Sequence, residues 1–150
     1  MPDMPHADRF FDLVVYQYAR ELQRSIFKLS VGFPAEEKYS LTDQIRRSSR
    51  SIGGQIAESW AKRDYVKHFI SKLSDADGEQ LETQHWITTA VDCGYLDSGA
   101  GSEVFQLCLR IGRMLGRMKE KADQFCPNES SRIREPDAVF FSPSNEGIPF

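Results

Sequence analysis

The sequence predicts an all-α protein built as an antiparallel up-down-up-down four-helix bundle. Apolar residues recur at spacings of three and four along four long stretches, the pattern of one buried face of a helix with period 3.6. Short segments marked by Gly, Pro and Asp join them, so neighbours in sequence are expected to lie side by side and antiparallel. No period-two alternation is long enough to make a competing strand.

A chain of 150 residues suits one domain with a real core, and 40% apolar with 27% charged residues is ordinary for a globular protein. Residues 1–7 are expected to be a flexible lead-in, 8–126 the bundle, and 127–150 a mostly disordered tail containing the apolar island Val139-Phe140-Phe141. The first ten residues lack the basic-then-apolar order of a secretory signal. No run of 18 apolar residues exists, so no membrane partner is expected. Cys93, Cys108 and Cys126 are too few and too scattered for a disulfide framework or a metal site and read as buried or free thiols of a reducing cytoplasm.

The first helix is expected over about residues 8–31, capped by Asp8, with Phe11, Val14, Val15, Tyr18, Leu22, Ile26 and Leu29 on its buried face. Gly32 and Pro34 end it, Gly by a left-handed closing residue and Pro because it cannot continue the ladder. Ser40 with Asp43 matches the capping pattern [ST]-x-x-[DE] and opens helix two, about 41–61, whose inner face is Leu41, Ile45, Ser48, Ser49, Ile52, Ile56 and Trp60. Gly53-Gly54 in its middle costs about 1 kcal/mol each relative to Ala, which implies close approach of a neighbouring helix or subunit, or a kink. Asp64 is the expected cap of helix three, about 65–93, with Tyr65, Phe69, Leu73, Ala76, Leu81, Trp86, Ile87 and Val91 inward. Its pattern weakens at Asp77-Gly78-Glu79-Gln80, which predicts distortion or polar partners there. Gly94 closes it. Helix four starts within 97–102 and runs to about 125 on the stripe Val104, Leu107, Cys108, Ile111, Leu115, Met118, Ala122 and Phe125.

The stretch Phe33, Pro34, Glu36, Glu37, Tyr39, Leu41, Gln44, Ile45, Arg46, Arg47, Ser51, Ile52, followed by Ile56, Ala57 and Glu58, resembles the bacterial four-helix-bundle proteins named after intervening sequences in 23S rRNA genes. Phe11-Asp12-Leu13-Val14, Leu81-Glu82 and Gly94-Tyr95-Leu96 are similar too, so the likeness spans about residues 9–125. The resemblance implies a bundle that assembles into a ring, typically a homopentamer. It also relates the chain to retroelement accessory proteins that bind nucleic acid and a reverse transcriptase. Two positions depart from the family pattern, with Gln55 where Asn is usual and Ser59 where Gly is usual. The formal net charge of −3 also departs from the basic accessory proteins.

Charge is unevenly spread along the chain. Residues 40–63 carry five Lys/Arg against two Asp/Glu, residues 99–126 five against three, and the intervening 64–98 two against seven. Arg46, Arg47 and Arg50, with Lys62 and Arg63, form one basic group; guanidinium forks match phosphate oxygens. The competing assignment pairs them with Glu36, Glu37 or Glu58, pinning the turn to helix two. Arg110, Arg113 and Arg117, with Lys119 and Lys121, form a second group whose bland reading is a solvated face. Gly112 and Gly116 on the same helix, like Gly53 and Gly54, are candidate packing or oligomer contacts.

Glu82-x-x-His85 has the spacing of half a bundle di-iron site, but His6 and His68 lack the matching Glu, so no metal is expected. Glu82 and His85 then read as a polar pair. No phosphate loop or nucleophile elbow occurs, and no cofactor is implied. The function these features suggest is a non-enzymatic homo-oligomeric scaffold that binds RNA, DNA or a nucleic-acid-processing partner through basic helix faces. The alternative is a purely structural or protein-recruiting oligomer.

Overall fold

Asp12, not Asp8, organises the start of the chain. The backbone N–H groups of Asp8 and Arg9 both donate to its carboxylate, at 3.2 and 3.0 Å, and hold Phe10–Asp12 in a single 3-10 turn. In the computed structural model, which describes residues 7–127, the first α-helix therefore begins later than expected: α1 is Val14–Ser30. Leu13, extended at φ −70° and ψ 129°, separates the two. The late start leaves Phe11 and Val14 exposed, while Val15, Ala19, Leu22 and Ile26 are buried.

The chain leaves α1 without a left-handed residue. Gly32 N–H bonds to Leu29 and Phe33 N–H to Ser30, both three residues back, so the last turn tightens instead. Among the described residues only Gly94 has a positive φ, 78°, and it closes the third helix as the sequence suggested. Ser40 is not a cap. Pro34 is the last extended residue, and helical backbone begins immediately after it, as a 3-10 turn over Ala35–Glu37 and a π turn over Lys38–Thr42 leading into α2, Asp43–Ala61. Ser40 falls inside the π turn, where its backbone is already helical. Asp64 gives way to Tyr65, the extended residue that precedes α3, Val66–Asp92. The α2–α3 turn is closed by backbone bonds instead, from the N–H groups of Lys62, Arg63 and Tyr65. Among the described α-helices only α4, Ser98–Glu120, has a side-chain cap of the expected kind, Asp97 accepting from Ala100 N–H at 2.7 Å. A single turn, α5, Ala122–Phe125, follows it.

Side-chain pairs fix the register. Arg47 reaches Glu82 while Lys72 reaches Glu58, so α2 and α3 run antiparallel. Ser30 meets Arg46 and Tyr16 lies beside Gly53, which does the same for α1 and α2. Gly112 faces Gln80 while Phe125 stacks on Phe69, placing α4 and α5 antiparallel to α3. Tyr18 against Arg110 closes the circuit between α1 and α4. The result is an up-down-up-down bundle.

Its centre is a seam of fully buried Leu22, Ile26, Ile45, Ile52, Ile56, Phe69, Leu73, Ile87, Ile111 and Leu115, each contributing roughly 1.5–3 kcal/mol by leaving water. Tyr65 and Leu81, expected inside, are exposed. Segment 77–80 does not distort α3. Its polar side chains find partners: buried Gln80 donates to Asp77 at 3.0 Å and accepts from Gln84 at 2.7 Å. Next to them Ser48 and Thr83 share a buried hydroxyl bond of 2.8 Å across α2 and α3. The expectations for residues 1–6 and 128–150, the Val139–Phe141 island included, lie outside the described residues.

Candidate nucleic-acid interface

Three arginines on the first half of α2 part company because they leave the helix in different directions. Arg47 turns to α3, where Glu79 and Glu82, three residues apart, lie across the antiparallel seam; it pairs with Glu79 at 3.2 Å and also with Glu82. Arg46 turns to α1. Its Nε donates to Ser30 Oγ at 2.7 Å, and its guanidinium lies 4.7 Å from the centre of the Phe27 ring. Arg50, one turn on, lies 5.8 Å from the same ring.

None of these arginines meets the carboxylates the sequence offered. Glu37 instead accepts from the Tyr95 hydroxyl at 2.8 Å, and Glu58 faces Lys72 at 3.8 Å. The physical reason is position. The 33–37 turn sits at the end of the bundle, where Phe33 packs 5.8 Å from Tyr95, so Glu37 is drawn to the α3–α4 turn. The bond to Glu37 is the main cause, and burial and the carboxylate charge lesser ones, that push the Tyr95 phenol from 10.0 up to about 12. A raised phenol supports the fold fully below pH 10 and loses that support as pH rises through about 12. An ultraviolet titration should show a phenolate step near pH 12 that vanishes in Tyr95→Phe and moves down in Glu37→Gln. An unmoved step in Glu37→Gln would remove Glu37 as the cause.

α1 supplies what sequence reading missed. Arg24 and Lys28 border Phe27, and with Gln23 and Arg50 they line an open cavity of about 270 Å³ between α1 and α2. The available signal was the four-residue spacing of Arg20, Arg24 and Lys28 along α1, matched by Arg46 and Arg50 on α2. Among the described residues, none of Arg24, Lys28, Arg46 and Arg50 forms an ion pair. Phe27, in their midst, is 46% exposed.

The remaining predicted cations are elsewhere. Arg63 lies 3.6 Å over the Trp60 ring and donates to the Trp60 carbonyl at 2.9 Å; Lys62 ends α2 beside it. Sixteen residues of helix, roughly 24 Å, separate them from Arg46. Arg110 donates to Tyr18 at 3.2 Å on the α1–α4 seam. Arg117 borders a small apolar cavity of about 30 Å³ there, with Met114 and Met118, and Arg113 on the same helix is half-buried and has a partner. The two basic groups therefore do not form one surface.

Of the glycines, Gly53 and Gly112 make close approaches within the chain: a Cβ at Gly53 would stand 3.3 Å from the Tyr16 ring, and one at Gly112 3.0 Å from Gln80 Nε2. At Gly54 a Cβ would meet nothing within 4 Å. Gly116 is half-buried. Glu82 is taken by Arg47, and His85 packs on Trp86, with ring centres 4.7 Å apart, so the two do not pair with each other. Burial pushes the Cys108 thiol far up, which makes it a core residue and a poor nucleophile.

No helix among the described residues is long and apolar enough to cross a membrane. No curated protein matches the chain. A solved structure from Bacteroides thetaiotaomicron VPI-5482, described as a protein of unknown function from the S23 ribosomal protein family, is 26% identical. The match covers 71% of this chain and 99% of that one, with a TM-score of 0.65. The family model for the 23S rRNA-intervening sequence protein matches residues 11–117, from the 3-10 turn that precedes α1 to the last turns of α4. The chain belongs to the 23S rRNA-intervening sequence protein family.

Proposed function

We propose that the chain is a non-enzymatic nucleic-acid-binding module, acting as several copies together, with the α1–α2 face as its contact surface. The observation that carries this reading is the gathering of Arg24, Lys28, Arg46 and Arg50 with no ion-pairing carboxylate among the described residues, on a chain whose net charge is −3. Like charges held this close repel each other, and a phosphate backbone relieves that repulsion while releasing its own counterions. Arg46 is already oriented by Ser30 and Phe27, so less side-chain freedom is lost when its remaining N–H groups meet a phosphate. The multi-copy part follows the resemblance to ring-forming bundle proteins, and Val31, Tyr39 and Leu81, at 67%, 73% and 53% exposed, are its candidate contacts with a neighbouring copy.

Fluorescence anisotropy with labelled RNA and DNA over a salt series tests the reading, and light scattering of the same sample counts the copies. Arg46→Ala with Arg50→Ala should weaken binding and flatten the log–log salt slope by about 1.5–2. Binding with an unchanged slope would count against this face, and a monomer mass against assembly.

A further inference from the structure

We propose that the α1–α2 groove takes an unpaired nucleotide, with Phe27 receiving the base and Arg24, Lys28 and Arg50 the adjoining phosphates. This rests on the nucleic-acid reading above and narrows it to single-stranded RNA or DNA. Cations alone serve a duplex, whose outer surface is phosphate. The half-exposed Phe27 ring at the centre of the cations helps orient Arg46, and it also offers apolar surface that phosphate contacts leave unused. Every base, by contrast, has a π face that stacks on an aromatic side chain, provided the base is out of a duplex.

The cations around the ring are not equivalent. Arg46 is half-buried and tied to Ser30, so it stays in place over Phe27. Arg50 is exposed, more distant from the ring centre at 5.8 Å, and has no hydrogen-bond partner among the described residues. It can move outward to a phosphate and free the part of the ring it covers for a base, or stay and sandwich the base against the ring, while Arg46 keeps its place. The open cavity beside it, about 270 Å³, has room for one base. Gln23 lines the same cavity and also has no partner among the described residues. Its amide offers a donor and an acceptor to a base edge.

The test uses the full chain and three probes: a short labelled single strand, the same strand annealed to its complement, and the free nucleoside monophosphate. The wild type should bind the strand more tightly than the duplex. Phe27→Leu keeps an apolar side chain at a half-exposed position and should fold normally, checked by its unfolding midpoint. It should lose about tenfold in affinity for the strand and little for the duplex. Phe27→Tyr restores a ring and should restore strand binding. Arg50→Ala should weaken strand and duplex alike. The free nucleotide should compete only at much higher concentration than the strand; equal potency would overturn the strand as the ligand. Strand binding unaffected by Phe27→Leu, or a preference for the duplex, overturns the single-strand inference while a loss in Arg50→Ala leaves the wider nucleic-acid reading standing. Binding of no probe overturns both.

Discussion

Gly112→Leu should destabilise the protein by about 4 kcal/mol, the sum of overpacking a filled seam and breaking a buried amide network. The Cβ alone would sit 3.0 Å from Gln80 Nε2, 3.5 Å from its Cδ and 3.6 Å from Asp77 Oδ1. A glutamine tip would ordinarily swing aside. This one is held from both ends, by Asp77 at 3.0 Å and Gln84 at 2.7 Å, in a side chain only 3% exposed. Moving it strands a buried donor and acceptor. Alanine at the same place separates the effects. It gains roughly 1 kcal/mol of helix propensity but still meets the amide, so Gly112→Ala should gain nothing or lose. Gly54→Ala is the control: it is exposed, its Cβ would meet nothing within 4 Å, and it should gain about 0.5–1 kcal/mol. Urea midpoints at constant m-value decide it. A Gly112→Leu protein with the wild-type midpoint would show that α3 and α4 are not in close contact at this level.

That contact also marks how far the sequence could be read. The seam of Ile45, Ile52 and Ile56 was legible because periodicity is a local property and the hydrophobic effect needs no particular partner. Gly112 announced a tight approach for the same reason, since an interior helical glycine is costly wherever it points. What it approaches depends on the register of α3, which no local pattern specifies. The partners of the arginines were hidden in the same way. Arg47 has four carboxylates near it in the family-like stretch, Glu36, Glu37, Asp43 and Glu58, yet it pairs with Glu79 and Glu82, which are more than thirty residues away in sequence. Arg24 and Lys28 were passed over in the sequence, where nothing marks them beyond a four-residue spacing, and only the closeness of α2 turns them into half of a basic groove. The cap at Ser40 was misread because its pattern is necessary for a capping box but does not exclude an earlier start, and Pro34 allowed one. Glu37 and Tyr95, 58 residues apart, explain why two separate fragments of the resemblance belong together: they join the two turns at one end of the bundle.

Ending the chain after Glu120 should cost about 3–5 kcal/mol relative to a chain ending after Pro127, although the family match stops at residue 117. α5 is one turn long and has no helix stability of its own, so only burial keeps it in place. That burial is extensive for its size. Ala122 and Cys126 are 0% and 1% exposed, and Phe125 stacks on Phe69 with ring centres 5.8 Å apart and planes within 25°. Phe69, itself 0% exposed, is the largest side chain of the central seam and would be opened to water from that side. The shorter chain should therefore unfold at lower urea, show a smaller m-value because less surface is buried, and bind a hydrophobic dye that the longer one does not. Equal midpoints would place the edge of the folding unit at α4 instead. The nucleic-acid face gives an independent check. Phe27, Arg24 and Lys28 stand on α1 and Arg50 on α2, whereas α5 packs on α3, so under conditions where the shorter chain remains folded its salt slope should match that of the longer one. A lower midpoint with an unchanged slope separates a helical cap on the core from a contributor to the binding surface.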